Sequence, residues 1–403
     1  MSPTTTEPRP EIRTLRHDPD VQPFIVIWEV TRACPLVCQH CRADAIHQRH
    51  PAELTTAQGR ALLDDLATFG PPHPLVVLTG GDPFERDDLE ELVAHGTAQG
   101  LHVSLSPSVT PQLGRPTLER LRDVGAKAVS LSLDGATAAT HDAFRGIDGV
   151  FGDTLEAAHM VRDLGLRLQV NTTVTTGNLA ELPAILRQVI ALHAGLWSVF
   201  FLVPTGRGAA LDALDAHETE DVLHWLHDAS RLVAIKTTEA PHFRRVALQR
   251  RGGPAAPELV GPVYEQLRGD VTDLLDGGGT PVRRAPRPPL DVNAGKGFVF
   301  VDHVGAVYPS GFLPAPVGSV RDRPITELYR EAPLLRWLRD PDRFEGRCGR
   351  CEFRQVCGGS RSQALAMTGN PLGEDPTCSY QPGSRSRPTT PRPTSHTDPP
   401  PQR

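Results

Sequence analysis

Cys34-Pro35-Leu36-Val37-Cys38-Gln39-His40-Cys41 follows an apolar run, Phe24-Ile25-Val26-Ile27-Trp28-Glu29-Val30, that reads as a β-strand. The three cysteines stand at a CxxxCxxC spacing on the loop that leaves this strand. Three thiolates on one short loop can hold three corners of a [4Fe–4S] cube. A closed cube needs four, one for each iron, so the fourth iron is left open to a small molecule. Structural zinc is the competing reading of the same residues. It takes four ligands, often at CxxC spacing, which three cysteines at this wider spacing suit poorly. His40 would be the fourth ligand, but it is wedged between Cys38 and Cys41.

The other four of the chain's seven cysteines, Cys348, Cys351, Cys357 and Cys378, lie near the far end, with no thiol between the two groups. Four cysteines satisfy a closed cube or a tetrahedral zinc equally well, and spacing does not choose between them. The 403 residues, 39% hydrophobic, suffice for one large core and a smaller unit. A formal charge of −6 gives no reason to expect nucleic acid or an anionic membrane as partner. No apolar run approaches the length of a membrane span. The polar first ten residues lack the apolar core of a secretory signal. A cytoplasmic protein is expected, and in that reducing setting clustered cysteines mean metal more often than disulfides.

Residues 1–20 read as a disordered leader. Between 21 and 235, strand and helix patterns alternate. Strands are expected at 24–30, 75–79, 101–106, 127–133, 166–172 and 197–203. Helices are expected at 55–69, 87–98, 116–124, 151–164, 179–192 and 216–234. Six βα units in series imply an α/β fold with a parallel sheet and right-handed crossovers. A (β/α)6 partial TIM barrel fits that count, with its chemistry at the C-terminal ends of the strands, where the cysteine loop sits. Residues 236–295 read as a connector with one helix at 257–275 and a flexible loop marked by Gly277-Gly278-Gly279 and Pro281. Its arginine pairs, Arg244-Arg245 and Arg250-Arg251, read as a solvated face. From 296 to 382 a hairpin (297–301 and 306–308) and a helix (325–338) lead into the four-cysteine region. Residues 383–403 are a low-complexity tail, expected to be disordered.

Several strand ends carry polar motifs. Thr79-Gly80-Gly81-Asp82-Pro83 follows the second strand. Paired glycines let backbone approach a ligand, and a carboxylate can accept from an ammonium. Taken alone, it reads as a turn. Ser106 ends the third strand, Ser132-Leu133-Asp134-Gly135 the fourth, and Asn171 the fifth. His141-Asp142-Ala143-Phe144-Arg145-Gly146 comes next after the fourth, and Leu202 to Gly208 closes the sixth. Arg145 alone reads equally as a surface salt bridge or as a fork for a carboxylate.

Together these motifs resemble the radical SAM superfamily, in its SPASM- or twitch-containing branch. The resemblance implies that Cys34, Cys38 and Cys41 hold a [4Fe–4S] cluster whose open iron binds S-adenosylmethionine (SAM). Reductive cleavage of SAM then yields a 5′-deoxyadenosyl radical that abstracts hydrogen from substrate. It further implies SAM contacts at Gly80, Gly81, Asp82, Ser106, Ser132, Arg145 and Asn171. Asp82 stands where glutamate is common. A SPASM/twitch-like region with Cys348, Cys351, Cys357 and Cys378 implies one auxiliary [4Fe–4S] cluster. Full SPASM regions carry two, and here Ser310 and Ser360 stand where cysteines often appear in relatives. The segment from Cys357 to Pro382 is most similar to the haem-modifying enzymes of the haem b and d-type haem pathways. A tetrapyrrole side chain is therefore the first expected substrate, and a peptide the second. A ferredoxin or flavodoxin is the expected electron donor. From a different class, a zinc-stabilised binding module remains the alternative. No residue is assigned to substrate proton transfer. His303 and Tyr308 read as a satisfied structural histidine and a packed tyrosine.

Overall fold

The computed structural model describes residues 12–250, 253–276 and 286–383. The start of the leader, Arg251, the triple glycine, Pro281 and the tail after Gly383 lie outside the described residues. Ten strands form one sheet: β1 Ile25–Glu29, β2 Leu75–Thr79, β3 His102–Leu105, β4 Ala128–Ser132, β5 Arg167–Val174, β6 Leu196–Phe201, β7 Ile235–Thr238, β8 Phe298–Val301, β9 Ala306–Tyr308 and β10 Gly318–Ser319. Their order is β10-β9-β8-β1-β2-β3-β4-β5-β6-β7. β1 to β7 run parallel, and β8 joins β1 in parallel on its other side. The helices are α1 Thr56–Ala67, α2 Leu89–Ala98, α3 Arg115–Asp123, α4 Ala138–Arg145, α5 Val150–Asp163, α6 Leu182–Ala191, α7 Ala216–Ala229, α8 Phe243–Arg250, α9 Pro262–Asp276, α10 Ile325–Glu331, α11 Pro333–Arg339, α12 Gly346–Arg350 and α13 Arg361–Thr368. None of the described helices is long and apolar enough to cross a membrane.

The six expected strands all form. A seventh, β7, follows the helix expected to run to residue 234, at the start of the stretch expected as a connector. The helix ends at Ala229, capped by Ser230. The short run Ile235-Lys236-Thr237-Thr238 then pairs with β6, its β-branched residues suiting a strand. α4 and α8 are also additional. α4 had legible signals, a Thr137 cap at its start and Gly146 at φ 74° at its end. The helix expected at 325–338 is two helices, because Pro333 opens α11 and bars α10 from continuing through Ala332.

The two faces of the sheet differ. Trp28 meets α1 at Gly59, Val103 meets α2 at Gly96, and Trp197 stacks edge-on against Trp225 of α7. These side chains and their alternates, such as Val76, Leu105 and Val199, are buried under the helices. The opposite face carries Thr79, Ser104, Ser130, Ser132, Gln169, Asn171, Ser198 and Lys236. A parallel sheet normally buries both faces in apolar contact. Here the inner face is hydroxyl- and amide-rich, which suits a polar ligand held inside the barrel.

Arg244, Arg245 and Arg250 of the connector are not a solvated face; all three are buried. Arg244 donates to the carbonyls of Leu290 (3.1 Å), Val292 (2.7 Å) and Cys357 (2.9 Å). Arg250 pairs with Asp228 and donates to the His224 carbonyl at 3.2 Å. Each guanidinium joins segments far apart in the chain, so local composition could not reveal its burial.

Candidate functional site

Cys34, Cys38 and Cys41 gather in one small cluster with Leu36 and Val150 at the C-terminal end of β1. All seven cysteines are free thiols. Three other loops clamp the cysteine loop. From the β2 loop, Gly81 donates to Thr31 O (2.8 Å) and Asp82 to Ala33 O (2.7 Å). The approach demands glycine: a Cβ on Gly80 would lie 2.4 Å from the Thr31 carbonyl oxygen, and one on Gly81 2.3 Å from that of Ala33. From α4, the Phe144 carbonyl accepts from the Gln39 amide at 2.9 Å, and the Phe144 ring stacks on His40 at 4.6 Å. From the β6 loop, Arg207 donates to Cys38 O at 3.0 Å, while Gly206 packs against Cys41 O.

The sulfurs are also addressed. Ser108 donates to Gly81 O at 2.9 Å and lies 3.4 Å from Cys34 Sγ, bridging the glycine pair to the first cysteine. Arg145 lies 3.5 Å from Cys38 Sγ and 2.8 Å from Asp134 Oδ2. Asp134 in turn accepts from the Thr173 amide at 2.7 Å, tying β4 to β5. The Asp134 carboxylate holds the buried Arg145 firmly charged beside two cysteine sulfurs. Burial pushes the Cys34 thiol up to about 11, so it becomes a thiolate readily only when a metal takes the proton's place. His40 is half-buried and neutral, its pKa lowered to about 4 by desolvation, with its ring committed to Phe144.

The predicted SAM residues fall into two groups. Gly80, Gly81 and Asp82 lie against the cysteine loop. Ser132 and Asn171 are register partners, and Asn171 is partnered in turn by Ser198 and Ser198 by Lys236, one row across four strands. Ser106 lies two residues short of the sulfur, and Ser108 makes that contact. Arg145 is committed to Asp134 and Cys38. Asp82 is fully buried, accepting from the Phe84 amide at 3.2 Å and the Thr110 hydroxyl at 2.9 Å. In this position it shapes the glycine loop. Ser108 and Thr110 were missed because only the loop's path around Gly81 brings Ser108 to Cys34 and Thr110 to Asp82.

Burial lifts the Asp82 carboxyl to about 6. The folded protein therefore keeps this proton to higher pH than the unfolded chain, whose aspartates titrate near 4. The stabilisation it brings is present below about pH 4 and is lost as pH rises through 6. Asp82→Asn should thus gain on the wild type by about 1–2 kcal/mol between pH 5 and 7.5. Denaturation midpoints of both proteins across that range test this; a difference independent of pH contradicts it.

At the other end, Cys348, Cys351, Cys357 and Cys378 line one cavity with Arg245 and Asp375. Among the described residues, no three His, Cys, Asp or Glu side chains are close enough to share one metal ion. The Asp375 amide donates to Cys348 Sγ at 3.3 Å, and Arg361 Nη2 lies 3.5 Å from the same sulfur. Gly359, at φ 66°, has no room for a Cβ, which would stand 2.9 Å from that sulfur. Burial raises the Cys357 thiol to about 11.

Between the two cysteine sites lies a third polar cluster. Glu239, just past β7, adopts φ 59°, a left-handed backbone costly for a non-glycine residue. Its carboxyl accepts from Ser310 (2.9 Å) and Ser360 (2.6 Å). These two serines stand where the resemblance led one to look for cysteines. Burial raises the Glu239 carboxyl above its usual range. His303 bonds Glu29 at 2.9 Å, and Tyr308 bonds Asp302 at 3.2 Å.

A profile of the radical SAM superfamily matches residues 28–189, the span of β1 to α6. The AdoMet-dependent heme synthase of Oleidesulfovibrio alaskensis is 37% identical over 375 residues, covering 91% of this chain and 89% of that protein. The chain belongs to the radical SAM superfamily. The pre-heme d1 synthase of Dinoroseobacter shibae is 31% identical, over 88% of this chain and 85% of that one. Among solved structures, Streptococcus suis SuiB bound to S-adenosylmethionine superposes with a TM-score of 0.63 at 15% identity, covering 89% of this chain and 78% of that one. That likeness concerns the fold, the radical SAM partial TIM barrel. The chain is a radical SAM enzyme, and its superfamily implies a [4Fe–4S] cluster and SAM. The thiol trio fits such a group: three sulfurs at one strand end, with a glycine pair beside them.

Proposed function

We propose that this enzyme acts on a propionate side chain of a tetrapyrrole, in haem formation. The observation that carries this reading is similarity along nine-tenths of the chain to a protein named AdoMet-dependent heme synthase. The polar inner face of the sheet supports it, offering hydroxyls and amides to SAM and to a carboxylate-bearing substrate. When bound, the cluster and SAM supply a 5′-deoxyadenosyl radical. Cys34, Cys38 and Cys41 hold the cluster, and Gly80 and Gly81 offer backbone to the methionine end. Ser106, Ser132 and Asn171 face the remainder of SAM, while Asp82 and Arg145 hold the loop and its charge in place. The barrel wall keeps water from the reacting carbon.

The same reading assigns Cys348, Cys351, Cys357 and Cys378 to one auxiliary [4Fe–4S] cluster, with electrons arriving from a ferredoxin or flavodoxin. Ser310 and Ser360, both bonded to Glu239, support one auxiliary cluster and not two. Anaerobic reconstitution should give about eight iron and eight sulfide per chain. With reductant, SAM and iron coproporphyrin, 5′-deoxyadenosine should appear together with loss of carboxylate from the porphyrin. Stoichiometric zinc, or 5′-deoxyadenosine that forms without any change in the porphyrin, would count against this function.

A further inference from the structure

Lys236 on β7 belongs to none of the groups described so far. Its register partner is Ser198, and Thr238, two residues on, places its hydroxyl 3.5 Å from that of Ser198. Ser198 follows Trp197, which faces the helices, so Lys236 points into the barrel. There its side chain is exposed to solvent on the polar face of the sheet. Among the described residues its ammonium has no hydrogen-bond or ion-pair partner.

Its charged neighbours are Arg287 and Glu239. Glu239 is turned to Ser310 and Ser360 and carries a raised pKa, so it neutralises Lys236 poorly. Arg287 in turn stands near Arg13, whose backbone pairs with Pro289 and Asp291. Arg244 pins that segment to α8 through the Leu290 and Val292 carbonyls. Burial, and after it the charge of Arg287, make the ammonium of Lys236 easier to deprotonate than usual. A partly desolvated ammonium without a partner gains free energy by pairing with a bound anion.

We propose that Lys236 anchors a carboxylate of the substrate inside the barrel. Because it rests on the tetrapyrrole reading, that carboxylate is a propionate other than the reacting one. An anchor in the same row as Ser132 and Asn171 would set which edge of the macrocycle faces the radical. The lysine is a positioning residue and takes no part in bond breaking.

The test is equilibrium binding of iron coproporphyrin to the reconstituted enzyme, followed by the Soret band, with SAM affinity measured in parallel. Lys236→Met should weaken the porphyrin about 10- to 100-fold, leaving iron content and SAM affinity unchanged. Lys236→Arg should recover most of the loss, and the tetramethyl ester should bind wild type as weakly as the free acid binds Lys236→Met. Unchanged porphyrin affinity in Lys236→Met overturns the anchor alone, as does a loss confined to SAM. No porphyrin binding by the wild type overturns the anchor together with the tetrapyrrole reading.

Discussion

Cys38→Ala is expected to cut iron from about eight to about four per chain. It should lower 5′-deoxyadenosine formation by more than about a hundredfold, the cost of losing even an outer partner of a metal site. With the fourth iron reserved for SAM, the loop has no spare ligand. His40, the nearest candidate, is stacked on Phe144 and cannot turn inward without breaking that contact. The fold should survive, because the cysteines belong to a small cluster apart from the main core. Iron analysis and product counting after anaerobic reconstitution check this. Full iron with undiminished 5′-deoxyadenosine would remove the basis for placing the chemistry at the end of β1.

Arg245→Met should have the largest effect on stability. Arg245 grips Glu220 with both ends of its fork, at 2.7 Å between Nη1 and Oε1 and through a second bond from Nη2 to Oε2. Both residues are buried, and the guanidinium holds the Glu220 carboxyl well below the usual carboxylate range. Without it, Glu220 is a buried charge with only His224 in reach, which costs about 3–5 kcal/mol. Arg245 also lies 4.8 Å over the Tyr380 ring and lines the four-cysteine cavity, so auxiliary iron should fall as well. The double variant Arg245→Met/Glu220→Gln should regain part of the loss, because no charge is then stranded. Thermal midpoints of the two variants within error of wild type would sink this reading of the pair.

Much of the barrel was legible because βα units announce themselves locally. Apolar runs of strand length alternate with amphipathic stretches, and those signals need only neighbours in sequence. The cysteine spacing was equally readable, since three ligands on one loop are a local feature. β7 was not, because four residues with two threonines and a lysine are a strand only when β6 is there to pair with them. The burial of Arg244, Arg245 and Arg250 is illegible in the sequence for a related reason. A guanidinium counts as solvated until a distant carboxylate or carbonyl takes its hydrogens, and Glu220, Asp228 and Val292 supply them here.

The sequence by itself determined the alternation that builds the sheet, the thiol trio on the first strand's exit loop, and the second set of four thiols near the end. Tertiary structure alone decided what surrounds them. Ser108 reaches Cys34, Arg145 reaches Cys38, Ser310 and Ser360 share Glu239, and Lys236 turns into the interior. Ligand spacing and strand periodicity act over a few residues and are written in order along the chain. Charge pairing and hydroxyl contacts act through space, between residues whose meeting depends on how the sheet curls and its loops return.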